Sequence, residues 1–463
     1  MKTSRKILMI SLLAVLGSVC LAGCKKKEDA SKKIVFWHTM GKTNQETVEA
    51  MVKEFLKLPE NEGYTIELLE QGDYTDINEK ILKGMSAGNL PTMAFCYPDH
   101  VADYLAAGVV EELTPYVEAS DKATEENPDD PYQFNSADYI TSFWQEGKEY
   151  DSEGHLYSVP FSKSTEVLFY NKTFFDEHQL QVPTTWDEVI SVCQQILALP
   201  EIQKIEDYEA PLGYDSDDNL FITFCEQMGL PYTSLGADGK GSFDFNNEQT
   251  RSMVETVKSW YDNGYIVTKG LLGNNTYTST KFTEQKLHMP IGSTGRTRYN
   301  YPSNDAFEVG VTSLPQWNPS EPSCISQGPS IVFFNKGDYV SQEQKEVAWR
   351  FYTYITNPEN SAKYAILTGY EPVRVSSYET PVYETFLAGY NEETGVHSSA
   401  QLRAAVANLT RTLQDWYFTS PVFVGSATAR NQVGAIIPAV CAGGKMVTEA
   451  FQEAYNKCVF AVQ

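Results

Sequence analysis

The stretch "KKIVFWHTMGKT", Lys32–Thr43, ends in the Gly-Lys-Thr of a phosphate-gripping loop but begins like a β-strand, and the choice between the two decides the fold. A P-loop needs a glycine five residues before its Gly-Lys, so that bare backbone N–H groups can wrap a phosphate. Position 36 is Phe, and Trp37, His38, Thr39 and Met40 fill the loop with bulk. The strand reading therefore stands. In the next segment Val48, Met51, Val52, Phe55 and Leu56 recur at helical spacing, Pro59 and Gly63 end the helix, and "YTIELLE" resumes a strand. "DINEKILKGMSAGNLPTMAFCYP" repeats the scheme, with a helix closed near Gly88 and a strand over Thr92–Tyr97. Alternating strands and helices predict an α/β fold with a parallel sheet covered on both faces. Such sheets bind ligands at the carboxyl ends of their strands. Trp37, His38, Thr39 and Tyr97 are thus placed beside a crevice, where an aromatic ring can stack on a sugar face.

The chain opens with Lys2, Arg5 and Lys6, the apolar run "ILMISLLAVLGSV" and "LAGC", Leu21–Cys24. This pattern predicts a signal peptide over residues 1–23. "LAGC" also resembles the bacterial lipobox, which makes Cys24 the expected lipidated first residue of the mature protein. "KKKEDASKK" reads as a polar tether over 24–33. No other segment approaches about eighteen unbroken apolar residues, so the remainder is expected to stand outside the membrane on its lipid anchor, in the bacterial cell envelope.

The formal net charge of -25 argues against a nucleic-acid partner. Cys96, Cys193, Cys225, Cys324, Cys441 and Cys458 are scattered without a C-x-x-C pair, so no metal is expected, and their disulfide state is left open. No cofactor motif is present. Beyond Tyr97 come a β-rich piece ending in "STEVLFYNKTFF" and a helix at "TTWDEVISVCQQIL", where Thr185 and Glu188 form a capping box. The chain then reads as mainly helical to about Phe282, returns to strands in "KLHMPIGSTGRTRY", "FEVGVTSLP" and "QGPSIVFFNK", and closes in helices.

"KIVFWHTMG", "PFSKSTEVLFYNK" followed by "PTTWDEV", and "AWRFYTYITNPENSAKYAILTGYEPV" together resemble islands of the extracellular solute-binding proteins (family 1) of bacterial ABC importers. The class includes maltose and glycerol-3-phosphate binders, and the motifs are nearest the latter. The resemblance implies a two-lobed periplasmic-binding-protein-like fold of type II, with discontinuous lobes, a hinge and ligand in the interlobe cleft. The implied partition puts 34–166 and 287–335 in the N-terminal lobe and 167–286 and 336–463 in the C-terminal lobe. It also implies a monomer that is no enzyme, captures a small polar solute and delivers it to the transmembrane subunits of an importer. Tyr74, Ser164, Ser293, Gly328, Tyr370 and Arg430 match ligand-contacting positions of the glycerol-3-phosphate binders, with Ser162 and Thr294 as the neighbouring alternatives to the two serines. The family's acidic residue after the tyrosine of "CYPDH" is replaced by Pro98, with Asp99 next. That departure puts the glycerol-hydroxyl contact in question, and keeps a neutral oligosaccharide open as the ligand.

The residues support this chemistry without the resemblance. Arg430 is a fixed cation in an acidic protein, suited to bidentate hold of a phosphate or carboxylate. Gly292 and Gly295 flank a turn that can present the Ser293 and Thr294 hydroxyls, and Arg296 and Arg298 add positive potential. An exported enzyme is the competing class. No G-x-S-x-G elbow or H-E-x-x-H helix is present, although 61 acidic residues leave room for the carboxylate pair of a glycoside hydrolase. A surface adhesin would show repeats or sandwich patterning, and neither occurs.

Overall fold

In the computed structural model, which describes residues 29–127, 130–236 and 239–463, the opening stretch is the strand β1, Lys33–His38. The expected leader, Cys24 and the tether up to residue 28 lie outside the described residues. The end of the tether is not loose: Ala30–Lys32 forms a 3-10 turn capped by Asp29, and Gln344 Nε2 donates to the Ala30 carbonyl at 3.0 Å.

The first sheet adds β2 (Thr65–Glu70), β3 (Met93–Cys96) and β4 (Ser158–Pro160). The second begins with β5 (Glu166–Asn171) and β6 (Leu212–Tyr214). A hairpin of β7 (Thr233–Leu235) and β8 (Gly241–Phe243) follows, then β9 (Ile266–Thr268), β10 (Met289–Ser293) and β11 (Val309–Ser313). β12 (Cys324–Ile325), β13 (Ser330–Phe333) and β14 (Tyr417–Phe418) complete the set. The first sheet runs β2-β1-β3-β13-β4 and the second β11-β5-β10-β6-β9. In the first, β1 is parallel to β2 and β3; in the second, β10, β6 and β9 are mutually parallel. Each sheet carries its own apolar core, one built on Ile34, Phe36, Phe95 and Phe351, the other on Phe169, Trp186, Phe224 and Ile291.

The helices form where periodicity places them. Lys42–Phe55 buries Val48, Met51, Val52 and Phe55. Tyr74–Ala87 ends at Gly88 in the left-handed region, and Trp186–Leu197 starts at the Thr185–Glu188 capping box. The stretch expected to be mainly helical contains β6 and β9, whose three-residue runs are too short to show a period.

The structure corrects the implied partition in two places. β10 and β11 pair with β5 and so belong to the second lobe, because their antiparallel registers join Ser293 to Glu166 and Val309 to Asn171. The helices Gln342–Ile355 and Pro358–Thr368 instead bury Trp349, Phe351, Tyr352 and Tyr364 in the core of the first. Both segments pass through the connection, where three pieces of backbone lie side by side. Ser164 and Gln327 exchange both backbone hydrogen bonds, at 2.8 and 2.9 Å, and the Glu371 N–H donates to the Lys163 carbonyl at 2.7 Å. Beneath them Lys163 is fully buried against Glu146, whose other oxygen accepts from Ser326 Oγ at 2.7 Å. The six described cysteines are free thiols.

Candidate functional site

The parallel strands of both sheets end at one cleft of about 720 Å³. β1 leads into Thr39, Met40 and Gly41, β2 into the turn before Tyr74, and β3 into Tyr97. From the second lobe, β6 leads into Asp215 and Ser216, β9 into Lys269, and β10 into Ser293 and the 3-10 helix Thr294–Asn300. The hinge strands supply Ser164, Gln327 and Gly328. The volume lies in the range typical of pockets for drug-sized ligands.

Tyr74, Ser164, Ser293, Gly328, Tyr370 and Arg430 all line this cleft although sequence scatters them over most of the chain. Tyr74 stacks on Tyr97 with ring centroids 4.0 Å apart, and burial raises both phenol pKa values. Ser293 Oγ donates to Ser164 Oγ at 3.2 Å, which joins a hydroxyl of the second lobe to one of the hinge. Tyr370 lies flat against Gly295, where a Cβ would fall 2.5 Å from its ring. Gly328 lines the cleft with φ +102°, and a Cβ there would meet the Ser162 carbonyl at 2.6 Å. The bare backbone thus permits close hinge packing at the edge of the cleft.

Two expected residues are elsewhere. His38 is fully buried, accepts from the Met40 N–H at 3.1 Å through Nδ1 and sits edge-on to Phe36. Burial pushes its pKa down to about 4, so the ring is neutral. Trp37, on the alternate face of β1, packs against the first core and not the cleft. A strand's side chains alternate, so a strand end beside a crevice need not aim its last side chains into it.

Asp99 and Arg430 meet each other. Pro98 starts the helix Pro98–Ala106, Asp99 sits in its first turn, and Arg430 comes from the second-lobe helix Ser426–Gly434. Arg430 Nε donates to Asp99 Oδ2 at 2.8 Å, Nη1 donates to Asn219 Oδ1 at 3.0 Å, and Asp218 is 3.5 Å away. Burial opposes the charge on Asp99, but Arg430 outweighs it and holds the carboxyl below its usual range. The guanidinium pKa is raised, since the two aspartates overcome its desolvation. The cation expected to hold a phosphate or carboxylate of the solute is therefore already matched by the protein's own carboxylates.

Sequence reasoning passed over Glu166, Asn219 and the segment Lys269–Tyr277. Glu166 accepts from Tyr214 Oη at 2.5 Å and from Asn219 Nδ2 at 3.0 Å, and burial pushes its pKa up to about 7. The signal for Lys269–Tyr277 was the "GNN" turn, where Gly273, Asn274 and Asn275 all have positive φ and bring Tyr277 back over the cleft.

A family model described as bacterial extracellular solute-binding protein matches residues 50–387. The sn-glycerol-3-phosphate-binding periplasmic protein UgpB of Escherichia coli (strain K12) is 26% identical over 369 residues, 75% of each chain, and that of Shigella flexneri serotype 5b (strain 8401) matches equally. Among solved structures, UgpB from Mycobacterium tuberculosis in complex with glycerophosphocholine aligns with a TM-score of 0.71 at 19% identity, over 93% of this chain and 98% of that one. The GacH receptor of Streptomyces glaucescens GLA.O, solved unliganded and with acarbose, gives 0.68 at 16% identity over 92% and 98%. At such identities the structural likeness is one of fold: the two-lobed, type II periplasmic binding proteins.

Proposed function

The chain belongs to the bacterial extracellular solute-binding proteins, and on that premise we propose that it is the monomeric receptor of an ABC importer that captures glycerol 3-phosphate, a glycerophosphodiester or a sugar. Lipid on Cys24 holds it to the outer face of the cytoplasmic membrane. The observation that carries this reading is the cleft itself, in which hydroxyls from the hinge and second lobe, tyrosines from both lobes and the backbone of Gly328 converge. A solute held there touches both lobes only when they are closed, so it shifts the population toward the closed form that an importer can read. The relatives named for sn-glycerol-3-phosphate support a phosphorylated polyol.

A second reading, a neutral oligosaccharide, is favoured by the neutralised Arg430 and by the six tyrosines that line the cleft. Thermal melting and calorimetry of the purified protein with glycerol 3-phosphate, glycerophosphodiesters and maltodextrins test both. A solute at about 100 to 1,000 times its Kd adds roughly 2.7 to 4.1 kcal/mol of stability. Hydrolysis of any of these compounds at a rate proportional to protein, abolished by changing one carboxylate, would replace the receptor reading with an enzymatic one.

A further inference from the structure

The cleft carries a second group of cations, which takes part in no ion pair among the described residues. Lys269, Arg296 and Arg298 line the cavity, and among the described residues none of them lies within 4.0 Å of a carboxylate oxygen. The charges are held in place by aromatic rings instead. Arg296 Cζ lies 3.4 Å from the ring centroid of Tyr277 and 4.5 Å from that of Tyr299, while its Nε is buried and has no hydrogen-bond partner. Lys269 Nζ lies 4.3 Å from the same Tyr277 centroid and donates to the Tyr277 hydroxyl at 3.2 Å.

A cation over a phenol ring gains modest stability. A second cation on the same ring repels the first, and an anion between or beside them relieves that repulsion. Asp215 shares the cavity and feels the charge of both Arg296 and Lys269, but its Oδ1 already accepts both the Thr278 N–H and the Thr278 hydroxyl at 2.7 Å. Arg296 directly follows Gly295, the residue against which Tyr370 packs, so the cations adjoin the hydroxyls of Tyr370 and Ser293.

We propose that Lys269 and Arg296, spaced by Tyr277, form an anion subsite that takes the phosphate or carboxylate of a polyol or sugar, while Arg430 stays with Asp99 and Asp218. This rests on the receptor reading above and names the charge of its ligand. The hydroxylated part of the solute then lies toward Ser164, Ser293 and Tyr370.

The test is calorimetry at low and high salt with glycerol 3-phosphate, glucuronate and maltotriose on wild type, Arg296→Gln, Lys269→Gln and Arg296→Lys. The expected result is that wild type binds an anionic probe, each Gln variant weakens it by about tenfold or more and flattens its salt dependence, and Arg296→Lys is intermediate. Melting without solute reports the fold of each variant, and Lys269→Met replaces any Gln variant that melts early. Binding of maltotriose alone, or anion binding that survives both Gln variants within about twofold, overturns the subsite and leaves the receptor standing. Failure of every probe to bind at millimolar concentration overturns the receptor reading for these ligand classes, and the subsite with it.

Discussion

Asp99 and Arg430 are joined across the cleft at 2.8 Å, one on each lobe, although 331 positions separate them in sequence. The Gly425 N–H reinforces the crossing by donating to Asp103 Oδ1 at 2.9 Å. Contact between the lobes is thus made by protein groups as well as by whatever solute lies between them.

Removing one partner of this pair should open the lobes. Asp99→Asn leaves Arg430 with Asp218 and Asn219, so the expected loss of stability is about 1 to 3 kcal/mol, less than the roughly 3 to 5 kcal/mol of an unrelieved buried charge. X-ray scattering should report a larger radius of gyration. A double-mutant cycle with Arg430→Met should be strongly non-additive, and strict additivity would show that the pair does not couple the lobes.

Acid should break the same contact late. Because the folded-state pKa of Asp99 is depressed, its contribution is complete above the unfolded value of about 3.9 and is lost as pH falls through the lowered folded value. Scattering at pH 5 should therefore match that at pH 7, and lobe opening already complete at pH 5 would contradict the assignment.

The hinge should respond with the opposite sign. Burial pushes Glu371 up to about 7, partly offset by the Tyr417 hydroxyl, which donates to Oε1 at 2.6 Å. The stability it contributes is full below its unfolded value of about 4.3 and declines as pH rises through 7. His38 and His288, both pushed down to about 4 by burial, act in the reverse sense, so the wild-type curve mixes the effects. The difference between wild type and Glu371→Gln isolates the carboxyl. It should show the variant gaining relative stability between pH 5 and 8, and a flat difference would refute the raised value.

Gly328→Ala should damage hinge and cleft together. The positive φ and the 2.6 Å approach of a Cβ to the Ser162 carbonyl predict a loss of about 1 to 3 kcal/mol. Weaker solute binding should accompany the lower melting temperature. Unchanged stability would mean that the hinge strands can separate freely at this point.

Cys24→Ser should leave the protein unprocessed or released from the membrane. Mass spectrometry of the mature N-terminus checks this, and membrane retention with no lipid on that terminus would sink the anchor.

Long periodic elements were legible in sequence: the helix of Val48, Met51, Val52 and Phe55 and the capping box at Thr185 stand where spacing places them. The motif residues Tyr74, Ser164, Ser293, Gly328 and Tyr370 also share one cavity. Lobe membership was less legible, because it depends on which strand pairs with which, and β10 carries no local mark that it pairs with β5. The partner of Arg430 was hidden for the same reason. The substitution at Pro98 was visible, but only the packing of two helices from different lobes turns Asp99 toward the guanidinium. Lys269 and Tyr277 were overlooked because three-residue strands and an asparagine turn leave no periodic trace.

The place of β13 bears on how the chain acquires its structure. It is inserted between β3 and β4, yet it follows both of them and the whole sheet of the second lobe in the chain. The first core cannot close until residue 333 has emerged, however early its other strands are made, and such late, distant pairing is slow. A chain cut after Ser313 keeps β1, β3 and β4 but should leave open to hydrogen exchange those amides of β3 that face β13, whereas protection there would show that the first lobe folds without waiting. The order of strands thus acts as a timer that defers closure of the first lobe until the second lobe's sheet has been made.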